Sequence, residues 1–88
     1  MKRHPEDPRI TPAQCRAMRA WLGLSSEELI DGIPISMQSL NGFEKSRRRL
    51  SEAKRRVLLN AFLSHQLIPL FDEDGNDIGV VFTPQQDR

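Results

Sequence analysis

The sequence predicts a mainly α fold, a bundle of about four helices followed by a small C-terminal β-hairpin or strand pair. Helix-start signals recur at Thr11, Ser25, Ser36 and Ser51, each ahead of apolar residues at helical spacing. Gly23 and Gly32 stand where helices stop. Beyond residue 66 the pattern changes to two short apolar runs, IPLF and IGVVF, on either side of the turn-rich DEDGND.

The elements follow in order. Thr11 caps a first helix that starts at Pro12, and Gln14 completes a capping box. Cys15, Met18 and Leu22 recur beside Ala17 and Trp21, which predicts one buried face closed by Gly23. Ser25 and Glu28 form a second capping box, with Leu24 and Leu29 at the positions of a hydrophobic staple, so a second and short helix follows at once. Gly32 ends it, Ile33 supplies the apolar contact after it, and Pro34 prevents continuation.

Ser36 caps a third helix through Glu44, with Met37, Leu40 and Phe43 expected inward and Gln38, Ser39 and Asn41 outward. Gly42 costs this helix about 1 kcal/mol relative to Ala, so tertiary packing must hold it. After the basic loop KSRRRL, Ser51 starts a fourth helix over 52–65, with Val57, Leu58, Ala61 and Phe62 on the core side. Strands are expected over 68–71 and 78–82; a lone hairpin is marginal in water, so they must pack on the helices or pair with a second copy.

A chain of 88 residues makes one domain. We divide it into a flexible N-terminal arm over 1–9, a helical domain over 10–66, a β element over 67–83 and a flexible tail over 84–88. With aromatics at 6%, the core consists mostly of Leu, Ile and Val, and so small a core favours self-association as a homodimer. Cys15 is the single cysteine, which excludes an internal disulfide and a cysteine-based zinc site and points to a reducing compartment. Neither a membrane-spanning run nor the apolar segment of a secretion signal is present, so a cytoplasmic location is expected.

Catalysis has no residue set to support it: there is no Ser/His/Asp or Cys/His combination and no glycine-rich phosphate loop. His4 and His65 lack local partners for a metal, and DEDGND lacks the spacing and closing Glu of a calcium loop, so no cofactor is expected. Cys15 and Trp21 are read as packing residues. The net charge is only +1, yet Lys45, Arg47, Arg48, Arg49, Lys54, Arg55 and Arg56 lie together, opposed by Glu52, while Asp72, Glu73, Asp74 and Asp77 lie near the end. Such a basic cluster neutralises phosphates and releases counterions.

Two short helices joined by a tight turn, between a first helix and a longer fourth, match the helix-turn-helix plan, in which the later helix of the pair enters the DNA major groove. The runs ITPAQCRAMRAWLGLSSEEL and ISMQSLNGFEKS also resemble Xre-type, phage-repressor-like proteins over about residues 10–65. The resemblance implies a lambda-repressor-like bundle, with Leu29, Ile35, Leu40 and Phe43 in the core and residues 36–42 in the recognition helix. Departures from the family's run are Pro34 where a turn Gly is common, Gly42 where an Arg or Lys often projects, and Ser26 in place of a Gln that approaches phosphate.

The expected function is therefore a small sequence-specific regulator of transcription bound to a double-stranded DNA operator. Ser36, Met37, Gln38, Ser39 and Asn41 are the candidates near base edges, because the amides of Gln38 and Asn41 can pair with adenine. Ser26, Lys45, Arg47, Arg48 and Arg49 are the candidates for phosphate. The alternative is an antiactivator that keeps the fold and binds another transcription regulator of a mobile element, through the third helix, a Met37, Ile33 and Ile35 patch, and the basic loop.

Overall fold

Side-chain caps set where each helix begins, and they act over three residues only. In the structure, a computed structural model that describes residues 9–84, helix α1 spans Pro12–Leu22, α2 Ser26–Ile30, α3 Met37–Glu44 and α4 Glu52–Leu63. The Oγ atoms of Thr11, Ser25, Ser36 and Ser51 accept hydrogen bonds from the backbone N–H groups of Gln14, Glu28, Ser39 and Lys54, and both expected capping boxes are formed. The expected arm, apart from Arg9, and residues 85–88 of the expected tail lie outside the described residues.

Gly23 closes α1 in the left-handed region. Between α2 and α3 the reversal falls on Gly32 at φ 85°, a conformation closed to Pro34, so the turn uses the one residue there without a Cβ. Ile33 donates its N–H to the Ile30 carbonyl at 3.0 Å and packs against the core.

Strand β1, Leu67–Phe71, pairs antiparallel with β2, Asp77–Phe82, as a two-stranded sheet with an irregularity between Leu70 and Phe71. The protein is thus mainly α with a small hairpin. The Asp72 carboxylate accepts the N–H groups of Asp74 and Asn76, each at 2.9 Å, and shapes the turn. The core draws Ile10, Cys15 and Met18 from the first segment, Leu29, Ile35, Leu40 and Phe43 from the middle, and Leu50, Leu58, Phe62 and Leu67 from the remainder. Burying a Leu or Phe contributes about 1.5–3 kcal/mol, so the short α3 is held through Leu40 and Phe43.

Several expectations need correction. Trp21 is 64% exposed and Ala17 is exposed, so the buried face of α1 consists of Gln14, Cys15 and Met18. Trp21 instead lies beside Phe82 of β2, ring centroids 5.8 Å apart. Ser39 is 7% exposed and does not face outward. Helix α4 stops at Leu63 rather than residue 65, because Gln66 adopts φ 64° and reverses the chain into β1. Its core side also includes Leu59. Among the described residues, no helix is long and apolar enough to cross a membrane.

Candidate nucleic-acid interface

Helix α3 is fixed from behind. Its last residue, Glu44, is 5% exposed and receives two hydrogen bonds from the Arg19 guanidinium, at 3.0 and 2.9 Å. The Cys15 thiol donates to the same carboxylate at 3.2 Å, and Arg16 donates to the Glu44 carbonyl. Burial, the hydrogen bond to Glu44 and that residue's charge all push the Cys15 thiol far above its ordinary pKa. The hydrogen bond to Glu44 raises Arg19 in turn. A charge taken out of water requires a partner, and this one ties the end of α3 to α1.

With that side occupied, the opposite side of α3 faces solvent. Gln38 is exposed, and Met37 and Asn41 are half-buried. Ser36 is exposed and serves the cap, its hydroxyl donating to Ser39 Oγ at 2.9 Å, which draws Ser39 under the first turn. Ser26 opens α2, half-buried, on the helix packed against α3. The proposed Met37, Ile33 and Ile35 patch is not continuous, since Ile35 is buried in the core.

The basic loop then folds back on α3. Ser46 takes φ 61°, and the N–H groups of Arg47 and Arg48 both point at the Gly42 carbonyl, at 2.8 and 3.3 Å. A methyl group at residue 42 would overlap Cγ and Cδ of Arg48, so the Arg48 stem occupies the space a side chain there would take. Gly42 therefore does not leave a bare surface, because a loop residue covers it. Lys45, Arg47, Arg48 and Arg49 are all exposed, and the stem of Arg48 lies against α3 at Gly42.

Sequence reasoning missed the partnership of Arg19 with Glu44 and the second role of Gln14. Gln14 Nε2 donates to the carbonyls of Leu70 and Gly79, at 2.9 and 3.1 Å. It also missed Arg9, and it read Arg55 only as one member of the basic cluster; both stand beside Arg49. The signal for Arg9 was weak: it is one cation ahead of the apolar Ile10, with no motif to single it out.

The third helix thus presents the exposed amide of Gln38, and the loop after it presents exposed cations, one of which, Arg48, lies against the helix. In comparison with known proteins, no family model matches the chain and no curated protein matches it in sequence.

Proposed function

We propose that the chain is a small sequence-specific DNA-binding regulator of transcription, with α2 and α3 as a helix-turn-helix pair in a lambda-repressor-like bundle and α3 entering the major groove. The observation that carries the reading is the continuity of exposed α3 amide and cationic loop, made by Arg48 lying over Gly42. Where the Xre-type run often carries a cation on the helix, this chain delivers one from the loop. Gln38 and Asn41 pair with base edges, with Ser36 and Met37 at the entry of the groove and Ser39 supporting the cap. Lys45, Arg47, Arg48 and Arg49 hold phosphates, and Ser26 approaches the backbone from α2.

The same reading includes a cytoplasmic homodimer. Ile78, Phe82 and Trp21 are exposed apolar side chains beside a strand, β2, that pairs with β1 alone among the described strands. A second copy on that side would bury them, and two copies of α3 would address half-sites about one helical turn apart. Sedimentation showing a monomer at high micromolar concentration would remove this part of the reading.

The test is selection from random duplexes followed by anisotropy titration across salt. An enriched motif is expected, with log K falling by about 0.9 per phosphate contact for each decade of salt. Gln38→Ala and Asn41→Ala should each relax one position of the motif, at a cost of about 1–3 kcal/mol for a good bidentate contact. Equal, weak binding to every duplex, together with a transcription regulator bound stoichiometrically, would replace this reading by the antiactivator one.

A further inference from the structure

Beyond the loop, next to the first turns of α4, lies a notch of about 510 Å³ lined by Arg9, Arg49, Leu50, Glu52 and Arg55. Each arginine is positioned by an apolar anchor. Arg9 precedes Ile10 and Arg49 precedes Leu50, both buried, and the Arg55 guanidinium stands 5.6 Å from the centre of the Phe43 ring. Three guanidinium groups thus share one concavity with a single carboxylate.

That carboxylate does not neutralise them. Glu52 reaches Arg9 at 3.9 Å with side chains 66% and 50% exposed, a geometry in which water screens most of the attraction. Burial lowers the pKa of Arg55, and the charges of Arg9 and Arg49 lower it further, with only Glu52 opposing. Arg55 Nε is buried without a hydrogen-bond partner. A buried donor left unpaired is costly and rare. Stacking on Phe43 explains where the guanidinium lies, but not why two more cations are gathered around it.

We propose that Arg9, Arg49 and Arg55 form an oxyanion site that takes a backbone phosphodiester of a nucleic acid. Guanidinium groups suit this ligand because their planar donors match two phosphate oxygens at once. A second depression, lined by Pro12, Phe43, Ser46, Arg47, Arg48, Arg49 and Arg55, shares Arg49 and Arg55 with the first, so the site continues the loop's cationic surface. The identity of the ligand rests on the DNA reading above. The footprint on the backbone would then extend past the loop to the segment ahead of α1 and to α4.

The test follows the arginine Nε–H signals of the full chain by NMR, with inorganic phosphate and with the selected duplex, and compares Arg9→Gln, Arg55→Lys and Arg48→Gln by salt titration. Arg9 is half-exposed, so its replacement leaves the core intact. Supporting results are a shift of the Arg55 Nε–H on adding duplex, and an Arg9→Gln protein whose affinity falls several-fold on all sequences while its salt slope drops by about 0.9. If Arg48→Gln loses affinity and Arg9→Gln does not, the DNA reading stands and this site is overturned. A shift with phosphate alone and none with duplex assigns a small free oxyanion and overturns the nucleic-acid ligand. No shift with either overturns the site itself.

Discussion

Helix α1 holds a neighbour near each of its two ends by a polar side chain, and the two attachments differ in kind. Near its start the neutral amide of Gln14, 3% exposed, donates to two carbonyls of the hairpin. Near its end the charged Arg19 grips Glu44 of α3, with Cys15 and Arg16 alongside. The helix that carries the candidate interface is thus fixed by a charge-assisted contact to a buried carboxylate, and the hairpin by the neutral amide of Gln14 together with an exposed bond from the Thr11 hydroxyl to the Asp77 carboxylate at 2.6 Å. Charge-assisted bonds are roughly twice as strong as neutral ones, but they leave a larger penalty when one partner is lost.

The largest effect should come from breaking the charged attachment on its cationic side. Arg19→Ala strands a buried carboxylate, and a loss of about 3 kcal/mol in urea unfolding is expected. Glu44→Gln keeps an acceptor and leaves Arg19 partly in water, so it should cost less. Cys15 reports on the same contact: its raised pKa keeps the buried thiol protonated and inert toward a disulfide reagent at neutral pH. Labelling should require opening in the parent and proceed markedly faster in Arg19→Ala. Equal stabilities for the two variants would show that the carboxylate does not depend on its cation.

Breaking the neutral attachment should cost less and act elsewhere. Gln14→Ala removes the donor from the Leu70 and Gly79 carbonyls and the acceptor of the Thr11 N–H, half of the first capping box, which together cost about 2 kcal/mol. Amide exchange should quicken in β2 while α3 stays protected. Uniform loss of protection across both would erase the distinction between the two ends.

Which parts of this arrangement are legible in the sequence follows from distance along the chain. The caps at Thr11, Ser25, Ser36 and Ser51 act over three residues, so pattern alone finds them. The attachments of Gln14 and Arg19 join residues 56 and 25 positions apart, and no local spacing encodes them. Trp21 shows the complementary failure: helical period puts it near the buried stripe, while it stands 64% exposed against Phe82, a strand residue 61 positions away that no local spacing announces. For the candidate interface, the residues of α3 and its loop were readable as polar and cationic. That Arg48 covers Gly42 depends on the reversal at Ser46, a non-glycine residue in the left-handed region that composition does not announce.

Gly42→Ala separates the stability of α3 from its surface. Alanine gains about 1 kcal/mol of helix propensity, and the overlapping atoms belong to the exposed, flexible stem of Arg48, which can swing away. Thermal unfolding should therefore rise slightly or stay level. DNA affinity should fall two- to several-fold, on the order of one weakened phosphate contact, because the Arg48 cation is displaced from α3. A gain in both stability and affinity would mean that Arg48 contributes nothing from its present position.

The smallest effect lies in the turn of the hairpin, far from the charged attachment. The carboxyl of Asp72 is held below the usual carboxylate range, chiefly by the backbone N–H of Asn76 and then by that residue's side chain and the N–H of Asp74. A group whose pKa is lower when folded adds stability above its unfolded pKa and loses it as pH falls through the folded value. The turn should therefore hold at neutral pH and loosen only below the ordinary Asp range, with faster exchange at Asn76 and little change in α3. Asp72→Asn should bring that loosening to neutral pH and flatten the acid dependence. If α3 loosened in step with the turn, the hairpin and the interface helix would form one cooperative unit, and the difference between the two ends of α1 would be chemical only.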